Sequence, residues 1–120
     1  MRVYTIQLAQ HRKAAERGIQ LIDTTVKSGV AAFAPNWKMV RESKAGVLSE
    51  KEYEQQYRAL IEHKKIIYPL EWEALCNTAV FALGCYCRAG KFCHRHILKD
   101  IIEEECAKRD IDFVDGGEIE

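Results

Sequence analysis

Apolar and polar positions along this chain follow two periods, and the switches between them mark its elements. Val3 to Leu8 is mostly alternating and β-branched, which predicts a first strand. A short helix is expected over roughly Ala9 to Arg17, with Gly18 where a terminating glycine belongs. Ile19 to Asp23 reads as a second strand, so a βαβ unit opens the chain. From Thr24 to Asn36 the pattern lapses, punctuated by Gly29 and Pro35, and Pro35 could open a helix carrying Trp37, Met39 and Val40. Ser49-Glu50-Lys51-Glu52 has the form of a capping box, and the helix after it places Tyr53, Tyr57, Leu60 and Ile61 on one stripe. Pro69 is expected to begin another short helix with Trp72 and Leu75 inward.

The stretch Ala79 to Cys85 is almost uniformly apolar, as in a strand covered on both faces. A final helix is predicted over Phe92 to Arg109, with Cys93, Ile97, Leu98, Ile101, Ile102 and Cys106 on its inner face. Ile111 to Val114 then makes a last strand, ended by Asp115-Gly116-Gly117. This order predicts one α/β domain over residues 1–120, a small three-layer sandwich with a mainly parallel sheet of about four strands.

Acidic and basic residues cancel at 18 each, so no global field draws the chain to nucleic acid or an anionic membrane. No stretch approaches the roughly 20 apolar residues that span a bilayer. The N-terminus is too short and polar for a signal peptide, so a cytoplasmic location and five reduced cysteines are expected. Any preference for anions must be local.

In parallel sheets ligands bind beyond the carboxyl ends of strands, near helix N-termini. Three segments reach that edge: Gln7 to Gln10, Asp23 to Lys27, and Cys85 to His96. The third carries Arg88, Lys91 and Arg95 with no acid between Gly84 and Lys99, at a helix end that itself favours negative charge. Gly90 would let the backbone approach a phosphate closely. These features point to an anion site, against the alternative of solvated surface cations. Asp23, followed by Thr24 and Thr25, could hold a sugar hydroxyl or could close an Asx turn. Trp37, Tyr53 and Tyr57 could stack on a base or fill the core. Arg95 and His96 are expected to face ligand or solvent, and His94 the apolar side of its helix.

The cysteines admit several chemistries. Cys85, Cys87, Cys93 and one histidine could hold zinc, but C-x-C-x5-C-H-x-H lacks the paired knuckles of structural sites, so no cofactor is expected. A thiol beside Arg and His at a helix start would have its thiolate stabilised, making Cys93 and His94 catalytic candidates. Six positions after Cys85 stands Lys91, and six after Cys87 stands Cys93, so the cysteine–arginine spacing of a cysteine phosphatase loop is absent. Small buried thiols packing the strand end remain the plain alternative.

At Cys93-His94-Arg95 the chain resembles the DUF488-like proteins. Val3-Tyr4-Thr5-Ile6 is similar to that family's first strand, Ile22-Asp23 to its second, and Phe81 to Arg95 to its signature of an apolar strand, a cysteine, a short loop and Cys-His-Arg. Gln7-Leu8-Ala9 departs from the family's Gly-His-Ser-type turn, and Thr24-Thr25 stands where the family often has an arginine. The resemblance implies a Rossmann-like fold and a polar pocket around Asp23, Cys85, Cys93, His94 and Arg95. It also suggests a bacterial or phage nucleotide-signalling setting.

The expected function is capture of a nucleotide-like or phosphorylated small molecule by Gln7, Asp23, Thr24, Cys85, Cys87, Arg88, Gly90, Lys91 and Arg95. The alternatives are an enzyme processing a nucleotide or nucleoside through a cysteine/histidine site, and a metal-binding interaction domain. A second copy of the chain could complete the pocket.

Overall fold

In the computed structural model, which describes residues 1–120, β1 spans Arg2–Gln7, β2 Gln20–Asp23, β3 Val80–Cys85 and β4 Val114–Ile119. They form one parallel sheet in the order β2-β3-β1-β4. The helices are α1 (His11–Glu16, entered through a 3-10 turn at Leu8–Gln10), α2 (Trp37–Lys44), α3 (Glu50–Ile67), α4 (Pro69–Cys76) and α5 (His94–Lys108). No helix is long and apolar enough to cross a membrane.

The strand alternation sorts the core into two layers. Val3, Phe81 and Leu83 face one side, against Tyr57 and Ile61 of α3 and Ile97, Leu98 and Ile101 of α5. Tyr4, Ile6 and Ala82 face the other, where Ala14 of α1 and Ile19 cover them. β3 lies between β2 and β1 and is buried from Phe81 to Cys85, as its unbroken apolar run requires. Each Leu or Ile taken wholly out of water here contributes about 1.5–3 kcal/mol, so packing rather than propensity holds these helices.

Local signals account for several helix starts. Ser49 Oγ accepts from Glu52 N, and Glu52 Oε1 accepts from Ser49 N, each at 3.1 Å, which completes the capping box of α3. Pro69 occupies the first turn of α4, where its missing N–H leaves no bond unmade. α2 begins otherwise than expected: Asn36, not Pro35, caps it, its Oδ1 accepting from Met39 N at 2.8 Å. α5 starts at His94 rather than Phe92, because Cys93 stays extended as its N-cap.

The largest correction is at β4. Asp115-Gly116-Gly117 does not end the last strand but lies inside it. Val3 pairs with Asp115 and Tyr4 with Gly117, leaving Gly116 as the extra residue of a bulge. Gly117 has φ +81°, and a Cβ on Gly116 would sit 2.6 Å from the Tyr4 ring. The two glycines let the strand absorb one residue and continue, bringing Glu118 opposite Thr5. Gly116→Ala should therefore cost about 1–3 kcal/mol, as overpacking does; thermal unfolding checks it, and an unchanged Tm would show that the Tyr4 ring simply moves aside.

Candidate functional site

The carboxyl ends of β2 and β3 and the start of α5 meet beneath a cleft of about 220 Å³. Thr25, Cys85, Cys93 and His94 contribute to its floor. Trp37 and Val40 of α2, Tyr53 of α3, and Tyr86 and Phe92 of the β3–α5 loop form largely aromatic walls, and Lys27 and Lys44 bring positive charge to it. Tyr53 and Phe92 meet edge to face at 5.5 Å, which fixes one corner.

The segment between β2 and α2 is tied down by hydrogen bonds. Tyr57 Oη donates to Phe33 O at 2.6 Å, and Lys64 Nζ donates to Ala31 O and Ala34 O at 2.5 and 2.7 Å. Burial holds the Lys64 ammonium below its ordinary pKa. Asp23 closes the near end of the loop as an Asx turn: its Oδ1 accepts from Thr25 N at 2.9 Å and Thr25 Oγ1 at 2.7 Å, and its Oδ2 from Ser28 Oγ at 2.6 Å. Burial alone would raise its pKa, but the bonds from Ser28 and Thr25 hold it below the usual carboxylate value. Asp23 is thus spent on the loop and is not a residue of the cleft lining.

His94 is 8 % exposed and its protonation is set by its partners. Thr24 Oγ1 donates to Gly84 O at 2.9 Å, so its proton is committed. His94 Nε2 lies 2.9 Å from both Thr24 Oγ1 and Thr24 O, two acceptors, and must carry the ring proton. Nδ1 is then unprotonated and faces Cys93 Sγ at 3.7 Å. Burial lowers the His94 pKa to about 4, opposed by the bond to the Thr24 carbonyl, so the ring is neutral near pH 7.

Cys85 and Cys93 are joined as a disulfide, with Cα atoms 7.7 Å apart, while Cys76, Cys87 and Cys106 are free. The expectation of five thiols is corrected here: β3 ends and α5 begins at the same point, so the two sulphurs converge. Cys85, Cys93 and His94 offer metal-ligand atoms within 4.8 Å of one another, but Cys87 is not among them. The four-residue zinc set considered from the sequence is therefore not assembled, and two of its three remaining members are bonded to each other.

Arg95 overturns its expected orientation. Its side chain is wholly buried and reaches back under the loop. One terminal nitrogen donates to Cys85 Sγ at 2.8 Å and Cys87 O at 3.0 Å, while the other donates to Glu118 Oε2 at 3.0 Å. Unlike a surface cation, it finds its counter-ion inside the protein, on β4. Arg88 and Lys91 are exposed and do not line the cleft, and Gly90, at φ +80°, serves a surface turn closed by Lys91 N and Arg88 O at 3.2 Å. The three-cation cradle is therefore not formed. His96 is half-buried rather than turned to solvent, and burial lowers its pKa.

Of the other expected ligand residues, Cys87 lines the cleft, Thr24 is buried behind His94, and Gln7 lies beside Cys85 in the sheet without reaching the cleft. Trp37 is open to it at 51 % exposure, Tyr53 lends it an edge, and Tyr57 is core. Sequence reasoning missed Tyr86, Phe92, Lys27, Lys44 and Glu118. The two aromatics within the cysteine loop were a usable signal; nothing in the sequence pointed to Glu118.

The family model described as "Active DUF488-N3 subclade" (DUF488-N3a) matches residues 3–106. No curated protein and no solved structure matches the chain.

Proposed function

This chain belongs to the DUF488 family, and from that premise we propose that it is an enzyme acting on a nucleoside or nucleotide through the Cys85, Cys93 and His94 group in its reduced form. The observation that carries the proposal is the convergence of two sulphurs and a neutral imidazole on the floor of an aromatic-walled cleft. The subclade's description as active favours turnover over passive capture. A reducing compartment such as the cytoplasm would keep the pair as thiols.

Cys85 is the better nucleophile. A guanidinium donor at 2.8 Å in a buried setting stabilises a thiolate over a thiol. Unprotonated Nδ1 of His94, directed at Cys93, takes the proton released from the cysteine pair. In the displacement, Cys85 sulphur bonds to the electrophilic atom of the substrate as the leaving group departs with that proton. Water then cleaves the sulphur–substrate bond and restores the thiol. The aromatic walls suit a base, and Lys27 and Lys44, rather than Arg88 and Lys91, stand where a phosphate would be met.

The test is to incubate the reduced chain with a panel of nucleosides and nucleotides and follow products by mass spectrometry. At least one should be converted, with conversion abolished in Cys85→Ser, reduced about 10²–10⁴-fold in His94→Gln, and lost on oxidation of the wild type. Binding without conversion would favour a capture protein using the same cleft. Neither binding nor conversion would remove the proposal.

A further inference from the structure

We infer that Glu118 is a positioning residue that sets the acidity of Cys85 through Arg95, an inference that rests on Cys85 acting as the nucleophile. Glu118 lies beyond residue 106, where the family match ends. It reaches the site because the bulge at Gly116 puts it opposite Thr5, whose Oγ1 donates to Glu118 Oε1 at 2.5 Å.

Four side chains on four elements then stand in series: Thr5 on β1, Glu118 on β4, Arg95 on α5 and Cys85 on β3. Arg95 Nε donates to Glu118 Oε1 at 3.3 Å and one terminal nitrogen to Oε2 at 3.0 Å, a two-point grip that fixes the guanidinium plane. The remaining edge is presented to Cys85 Sγ at 2.8 Å. Arg95 is wholly buried and Glu118 has a side chain 16 % exposed, so solvent screens the series little.

The electrostatic consequence follows from sharing one cation between two anions. With Glu118 ionised, Arg95 is partly neutralised and supports the Cys85 thiolate less than a free guanidinium would. Glu118 therefore orients the cation while tempering its pull on the thiol. Other titratable and charged groups also surround Cys85: Lys27 beyond β2, Lys44 of α2 and Tyr86 of the loop line the same cleft, and none of them is a hydrogen-bond partner of Arg95 or Cys85. Cys93 and His94 at the start of α5 form the acid/base pair, Asp23 beyond β2 is held by Thr25 and Ser28, and Tyr53 of α3 is kept protonated by burial. Cys87 follows on the loop and is exposed.

The experiment is iodoacetamide modification of the reduced chain against pH, read at Cys85 by peptide mass spectrometry, with Cys87 as control in the same spectra. Glu118→Gln should lower the Cys85 midpoint by about one pH unit, because one negative charge leaves the series. Glu118→Asp should return it towards the wild-type value. A Cys85 midpoint unchanged or raised in Glu118→Gln, with circular dichroism intact, would overturn the inference. Should Glu118→Gln fail to fold, Thr5→Val serves. It removes only the hydroxyl donor, concentrates the carboxylate's charge on Arg95 and should raise the midpoint; no change would count against the inference. Failure of the underlying proposal looks different: the Glu118→Gln shift would persist while no nucleoside or nucleotide is converted.

Discussion

Arg95→Met should unfold at markedly lower urea than the wild type, with stability reduced by about 3–5 kcal/mol and the denaturant slope unchanged. Removing one partner of a buried ion pair leaves the other charge in low dielectric without compensation. Here the stranded group is Glu118, part-buried and left with only the Thr5 hydroxyl, and the carbonyl of Cys87 also loses its donor at 3.0 Å. Adding Glu118→Leu should recover part of the loss, since an apolar pair needs no desolvation of charge. A single variant within about 1 kcal/mol of the wild type would mean that water replaces the guanidinium and that the interior tolerates the change.

Acid should weaken the fold from about pH 6.5 downward, beginning with a buried histidine. His94 titrates near pH 4 in the folded chain and near its ordinary value of 6.5 once unfolded. The unfolded chain therefore binds more protons between those values, and stability falls as pH drops through that window. The stability associated with a neutral His94 is fully present above about pH 6.5. About 3 kcal/mol of it is lost by pH 4. His96 is lowered too and acts in the same direction. Urea midpoints measured from pH 7.5 to pH 4 check this. His94→Gln should flatten most of the slope, and an equally steep slope in that variant would assign the effect elsewhere.

Much of the architecture was legible because it rests on local rules. The capping box at Ser49, the proline at the head of α4 and the uniformly apolar β3 each state their role within a few residues. The parallel sheet followed from the order of elements. The cysteine loop was read as the ligand edge, and in the structure Cys85, Cys87, Cys93 and His94 line one cleft.

What escaped depended on distant partners. Arg95 was expected to face ligand or solvent because its counter-ion lies 23 residues away, on a strand read as ending before it. Two glycines after an aspartate ordinarily mean a turn, and only the neighbouring Tyr4 ring shows why they form a bulge instead. Asp23 was ambiguous for a related reason. A carboxylate at a strand end suits a ligand and an Asx turn equally, until Thr25 and Ser28 are seen to occupy it. The cation cluster failed as a cradle because spacing along a loop does not say which side chains turn inward.

The sulphurs and the imidazole are seated on a strand terminus and a helix start that belong to the core, whereas α2 and two loops supply most of the walls. Trp37 and Phe92 on the rim are 51 % and 37 % exposed, whereas Cys85, Cys93 and His94 beneath them are buried. The frame thus divides its labour: the rim can be rebuilt residue by residue while the two sulphurs, the imidazole and the sheet beneath them stay undisturbed.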